Sequence, residues 1–195
     1  MAGEEVCIMT ATNSRARKSG RKNLDAVDLT LTKNQLSALV DLEKRNTSLH
    51  EIGHATVCAR FGGSGRIDIW RNSKDNVAAG EKAWLGTFRM LAKPGSLQLT
   101  EEMAAMLHEL PTPRNWRVLL GLAGIVCEQI GNGITDIDDI TGEVQAMIEM
   151  GDASESDAAL IGEDWDETDI EVVVKLLMDS WPNIEREITA MMAWT

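Results

Sequence analysis

At 195 residues with 44% hydrophobic content, the chain is long enough for one domain with a real core and has the composition of an ordinary soluble globular protein. A formal charge of −12 argues against a nucleic-acid groove as the main business of the domain, and no apolar run approaches the length of a membrane span. The N-terminus has no signal-peptide core, and Cys7, Cys58 and Cys127 show no CxxC spacing, so the expectation is a cytoplasmic protein without structural disulfides.

Charge is unevenly spread. Arg15, Arg17, Lys18, Arg21 and Lys22 form a basic knot, whereas Val118 to Val174 contains no Lys or Arg while Asp and Glu recur. Residues 1–28, polar and Gly-interrupted, read as a flexible basic tail, leaving 29–195 as the domain. Thr32 suits the N-cap of a helix, and Leu36, Leu39, Val40 and Leu42 follow at helical spacing. The pattern predicts a helix to Arg60, with a break near Asn46-Thr47-Ser48 and a stop at Phe61-Gly62-Gly63-Ser64-Gly65.

Inside that helix lies Leu49-His50-Glu51-Ile52-Gly53-His54-Ala55, of the form HExxH. Residues four apart share a helical face, so His50 and His54 can place two imidazoles on one metal ion, with Glu51 beside them as a base for a water. Two neutral nitrogen donors, an open position and a nearby base are what hydrolytic zinc chemistry needs.

Beyond the stop, Arg66 to Trp70 alternates as a short strand, Asn72 to Glu81 reads as a hairpin or loop, and Ala83 to Met90 is a second strand. Thr100 caps a predicted helix Glu101–Glu109, whose His108 has no second donor at ligand spacing and reads as an ordinary surface or packing residue. Trp116 to Ile130 is the most apolar stretch and predicts a buried helix, with Gly121 and Gly124 permitting close approach of the HExxH helix, and Gly53 permitting it from the other side. Glu128, the one charge on that helix, either orients a metal ligand or is an exposed residue near the helix end. A helix from about Ile140 to Met150, a short helical segment opened by Gly151–Asp157, an acidic loop Asp164–Asp169 and an amphipathic helix from Glu171 to about Trp194, bent or interrupted at Pro182, complete the chain.

A zinc site needs a third protein ligand, and no HExxHxxGxxH extension follows His54, so a carboxylate of the acidic half is expected. Here the sequence resembles the zinc peptidase domain of the FtsH-type ATP-dependent proteases. That family carries HEAGH followed by Ala, matched by His50-Glu51-Ile52-Gly53-His54-Ala55. It also carries a Leu-Gly-Thr-like step, matched by Leu85-Gly86-Thr87, and a Gly-x-Ala-Ala-Glu-Glu step, matched loosely by Gly124 to Gln129. Its third ligand, an Asp opening a helix, corresponds to Asp157 in Asp152-Ala153-Ser154-Glu155-Ser156-Asp157. The interval from Glu128 to Asp157 is longer than the family's, and Asp138 or Asp139 is the other candidate within it. The resemblance covers roughly residues 45 to 162. There is no nucleotide-binding P-loop, so the chain looks like a stand-alone relative of the peptidase domain.

The resemblance implies a mostly α fold: a single helical domain with a small β-hairpin or sheet and a zincin-like HExxH helix packed on a buried second helix. It implies a Zn²⁺-dependent metalloendopeptidase acting on flexible or unfolded polypeptides, with His50, His54 and Asp157 as ligands and Glu51 as general base. A homo-oligomer is implied as well. The strand Arg66–Trp70 would present an edge to an extended substrate. Two other readings stand beside this one: a non-catalytic zinc-binding interaction module, and a nucleic-acid-associated factor acting through residues 15–22.

Overall fold

The computed structural model describes residues 33–96, 102 and 110–194. The basic tail, Cys7, the Thr32 cap and the helix carrying His108 lie outside them. Helix α1 spans Lys33–Arg60. It stops at Gly62, where φ is 72° and the amides of Gly62 and Gly63 bond back to Ala59 O and Cys58 O. The expected break at Asn46-Thr47-Ser48 does not occur. Ser48 Oγ donates to Lys44 O at 2.8 Å within the same helix, and Thr47 Oγ1 reaches across to Trp84 O at 3.4 Å. Both hydroxyls are satisfied without unwinding a turn.

Strands β1 (Ser64–Arg71) and β2 (Trp84–Ala92) form an antiparallel pair, with Ile67 opposite Phe88. Their connection is not plain loop. It holds the short helix α2, Lys74–Ala78, whose Asn76 N–H is capped by Ser73 Oγ. Helix α3 (Trp116–Gly131) is the predicted buried helix, with Leu119 to Cys127 buried without interruption. Helix α4 (Ile137–Met150) starts three residues earlier than expected because Asp136 accepts from the amides of Asp138 and Asp139. Helix α5 is Glu155–Ile161, capped by Ser154. Helix α6 (Glu167–Met192) begins inside the predicted acidic loop, where Asp166 and Asp169 form a reciprocal capping box. It also runs through Pro182 without interruption, held by Leu177 before the proline and Ile184 after it, both buried in the core.

The protein is thus mostly helical with one small two-stranded antiparallel sheet. Among the described residues no helix is long and apolar enough to cross a membrane. The core joins Leu49, Ile52 and Val57 of α1 to Leu122 and Val126 of α3 and to Val173 and Leu177 of α6. Cys127 is a buried free thiol within it, Cys58 is another in a smaller cluster with Phe88 and Leu120, and burial pushes the Cys58 pKa up to about 12.

Two contacts place the site. The first is the α1–α3 crossing: a Cβ on Gly53 would collide with the Ala123 carbonyl and lie 2.7 Å from Cys127 Cβ. Gly53→Ala is therefore expected to lower stability by about 1–3 kcal/mol through overpacking. Gly142→Ala on α4, where an added Cβ meets nothing within 4 Å, should instead raise it by up to about 1 kcal/mol through helix propensity. Denaturant midpoints of the two variants moving in the same direction would show that close approach is not the role of Gly53.

The second contact is α1 against β2. Asn72 N–H bonds to Ala83 O, which sets the ladder so that alternate residues of β2, among them Trp84, Gly86 and Phe88, turn their backbone groups away from β1. Side chains of α1 meet them, Thr47 at Trp84 O and Glu51 at the Phe88 N–H, and past the register shift at the end of the pair Cys58 Sγ lies 4.0 Å from Ala92 O.

Candidate metal centre

His50 and His54 leave α1 one turn apart with their rings in an edge arrangement, centroids 4.7 Å apart and planes at 78°. Each ring is held by its Nδ1. The His54 Nδ1–H donates to Leu120 O at 2.8 Å, and His50 Nδ1 lies 2.6 Å from Glu128 Oε1. Both partners belong to α3. The His50 ring sits where a side chain on Gly124 would be, since a Cβ there would lie 2.6 Å from His50 Nε2. With Nδ1 engaged in each, both Nε2 atoms are left for a ligand, the arrangement by which orienting partners fix the tautomer of metal-binding histidines.

Asp157 arrives from α5. Ser154 caps this helix, accepting from the Asp157 N–H at 3.1 Å and donating its hydroxyl to Asp157 Oδ2 at 2.8 Å, so the cap also aims the carboxylate. Gly121 lets α5 seat on α3, because a Cβ there would come within 3.0 Å of Asp157 O and 2.8 Å of Ile161 Cγ1. Asp157 Oδ2 is then 3.0 Å from His50 Nε2, and Oδ1 is 3.3 Å from His54 Nε2. The three residues each offer a donor atom within 4.8 Å of the others. Two donors on one tetrahedral zinc ion, each at about 2.0–2.1 Å, would be about 3.3 Å apart. The spacing fits an ion of that size.

The donor atoms themselves point the same way. His54 Nε2 and Asp157 Oδ1 are both buried, and neither has a hydrogen-bond partner despite their proximity. Buried polar atoms normally find one. Burial pulls the His50 pKa down, yet hydrogen bonds to Asp157 and Glu128 outweigh it and raise it well above 6.5. Burial pushes Asp157 upward, yet the two imidazoles hold its carboxyl far below 3.8. The cluster therefore attracts positive charge strongly, and these residues could hold a metal ion.

Glu51 is almost fully buried beside the cluster. Burial raises its pKa, and His50 and His54 oppose the rise. The Phe88 N–H bonds to the carboxylate, Gly86 leaves room for it (a Cβ there would be 2.8 Å from Oε1), and Oε2 has no partner.

The structure thus brings together all four residues singled out in the sequence. It does not bring Asp138 or Asp139, which lie exposed in the first turn of α4. It also closes the open question at Glu128, whose carboxylate is bonded to His50. Sequence reasoning missed Leu120 O and Phe88 N–H, which as backbone atoms leave no mark in the residue pattern. It also passed over Ser154, which a reading of Ser-x-x-Asp as a capping motif would have found. Glu128→Ala is expected to lower metal affinity about 10–100-fold, and Glu128→Gln by less because its amide oxygen still accepts. Chelator competition measures both, and equal affinity in all three forms would leave Glu128 without an orienting role.

A comparison of the chain with protein-family models, curated proteins and solved structures finds no match in any of the three.

Proposed function

We propose that the chain is a zinc-dependent metalloendopeptidase, related in design to the peptidase domain of the FtsH-type proteases and zincin-like in the arrangement of its active-site helix. His50, His54 and Asp157 hold the ion, and Glu51 is the general base. The observation that carries this reading is the set of buried, unpartnered atoms His54 Nε2, Asp157 Oδ1 and Glu51 Oε2 contributed by one cluster. Further support comes from the segments that carry the resemblance. Gly86 lies against Glu51, Gly124 lies under the His50 ring, and Glu128 bonds to that ring.

Zinc at such a site polarises the scissile carbonyl and brings the pKa of a water toward neutrality. The chain supplies the rest. Leu120 O and Glu128 fix both imidazole tautomers, so the donors need no reorganisation when substrate arrives. Glu51, its pKa raised by burial, accepts the proton of the attacking water and delivers it to the leaving amine. The Phe88 N–H anchors the carboxylate and leaves Oε2 for this exchange. A purely structural metal site would have no use for a buried, unpaired carboxylate beside its ligands.

The test is metal content measured together with cleavage of casein as an unfolded substrate. The expected result is about one zinc per chain with chelator-sensitive cleavage, and loss of the zinc in His50→Ala and His54→Ala. Zinc retained in either variant, or a zinc-loaded protein that cleaves nothing, would overturn the reading.

A further inference from the structure

Away from the metal cluster, a groove of about 600 Å³ runs along β1, floored by Lys44 and Ser48 of α1 and walled on the far side by the end of α6. None of His50, Glu51, His54 or Asp157 lines it. Around the α1 axis Lys44 and Ser48 are turned away from His50 and His54, whereas Glu51 follows Ser48 on the same side one turn further along without lining the groove. Lys44 fixes its shape. Its ammonium donates to the carbonyls of Met192 and Trp194 and lies 4.9 Å from the Trp84 ring centroid, tying the end of α6 to α1.

The ladder that turns alternate residues of β2 toward α1 turns alternate residues of β1 the other way. Ile67, Ile69 and Arg71 direct their N–H and C=O groups away from β2, and among the described residues no strand pairs with them. Every residue from Arg66 to Arg71 lines the groove, which therefore follows the open edge over six residues, about 20 Å of strand. An unpaired edge of this length is a template for another strand.

Its charge is opposite to that of the protein. The chain carries −12, yet the groove is lined by Lys44, Arg66 and Arg71 against the single carboxylate of Asp68. Arg66 is paired with Asp68, whereas Arg71 is exposed and makes no ion pair among the described residues. The indoles of Trp70, Trp84 and Trp194 supply apolar surface along the same path. We propose that this groove binds an extended acidic segment of another polypeptide as a third strand on the open edge of β1. The acidic segment is favoured because the groove carries a local excess of positive charge, three cations to one carboxylate, on a chain whose net charge is −12. The groove shares no residue with the metal cluster, so the edge of Arg66–Trp70 that was expected to hold a peptidase substrate is assigned here to a different polypeptide, and the proposal does not rest on the peptidase reading.

The test uses the full chain and three end-capped, fluorescein-labelled decapeptides: alternating Val and Glu, alternating Val and Lys, and the Val–Glu peptide N-methylated at alternate residues. Anisotropy is expected to show saturable binding of the Val–Glu peptide that weakens with added salt. The Lys peptide should bind at least about tenfold more weakly, and N-methylation of the paired face should remove binding. Arg71→Glu should weaken binding about tenfold at unchanged melting temperature. The peptide comparisons use the unaltered protein and so do not depend on how that variant folds. No binding by about 1 mM Val–Glu peptide, or equal binding of the Lys or N-methylated peptide, overturns the proposal. If the chain sediments as a dimer that Arg71→Glu dissociates, and the peptide does not bind, the occupant is a second copy and the proposal likewise falls.

Discussion

Glu51→Gln is expected to bind zinc and melt like the wild type while losing peptide-bond cleavage by a factor of about a hundred or more. Gln is nearly isosteric with Glu, and its carbonyl oxygen can keep the bond from the Phe88 N–H. What it lacks is a basic oxygen. Glu51 lies next to three ligand candidates but outside the cluster of donor atoms formed by His50, His54 and Asp157, so the substitution removes no donor. Replacing the buried carboxylate by a neutral amide also removes the cost of burying a charge there, the same cost that raises the Glu51 pKa, so no loss of fold is anticipated. Cleavage of casein by the variant at the wild-type rate would end the metallopeptidase reading. Loss of zinc with activity would show instead that Glu51 is a ligand.

Asp157→Asn is expected to act on the metal first and on activity through it. The carboxamide fits the same space and can still accept from Ser154 Oγ, but it brings no charge between the two imidazoles. Zinc affinity should fall by more than the roughly 10–100-fold assigned to the orienting Glu128, because a donor itself is weakened. The metal-free protein gives a second readout. Its Asp157 carboxyl is held far below 3.8, so the stability it contributes is full above that pH and is lost as pH falls through the folded pKa. His50 is raised above 6.5, so its contribution is full below that pH and is lost as pH rises through the folded value. Chelator-treated wild type should therefore be most stable between about pH 4 and 6.5. Asp157→Asn should flatten that maximum. A maximum of unchanged height in the variant would show that the two residues are not coupled as their distance implies.

The pairing of His50 with His54 was legible because one helical period fixes it, whatever the surroundings. The α1–α3 contact was legible at Gly53 and Gly124, since glycine inside apolar helical sequence signals close approach. Asp157 followed from the resemblance, and Ser154 three residues before it supplies a local physical reason. The break predicted at Asn46-Thr47-Ser48 failed because propensity does not know that Ser48 has Lys44 O and Thr47 has Trp84 O as partners. Of the bend or interruption expected at Pro182, the interruption does not occur: the core contacts of Leu177 and Ile184 outweigh one missing hydrogen bond. Glu128 could be assigned only once the separation of α1 and α3 was known, because its two readings differ by which way a single carboxylate turns.

Helix α1 is one hydrogen-bonded ladder with two different attachments to the rest of the molecule. From Asn34 to Leu39 every residue is exposed, including Leu36 and Leu39, whereas Leu49, Ile52 and Val57 are buried between α3 and α6. The cost of opening a turn therefore rises along the helix, from local fraying near Gln35 to something close to global unfolding at the histidines. The donors sit at the stiff end of that gradient. Thermal motion can loosen the first third of α1 while the His50–His54 spacing stays fixed, so the helix can yield at its N-terminal end without detuning the site it carries.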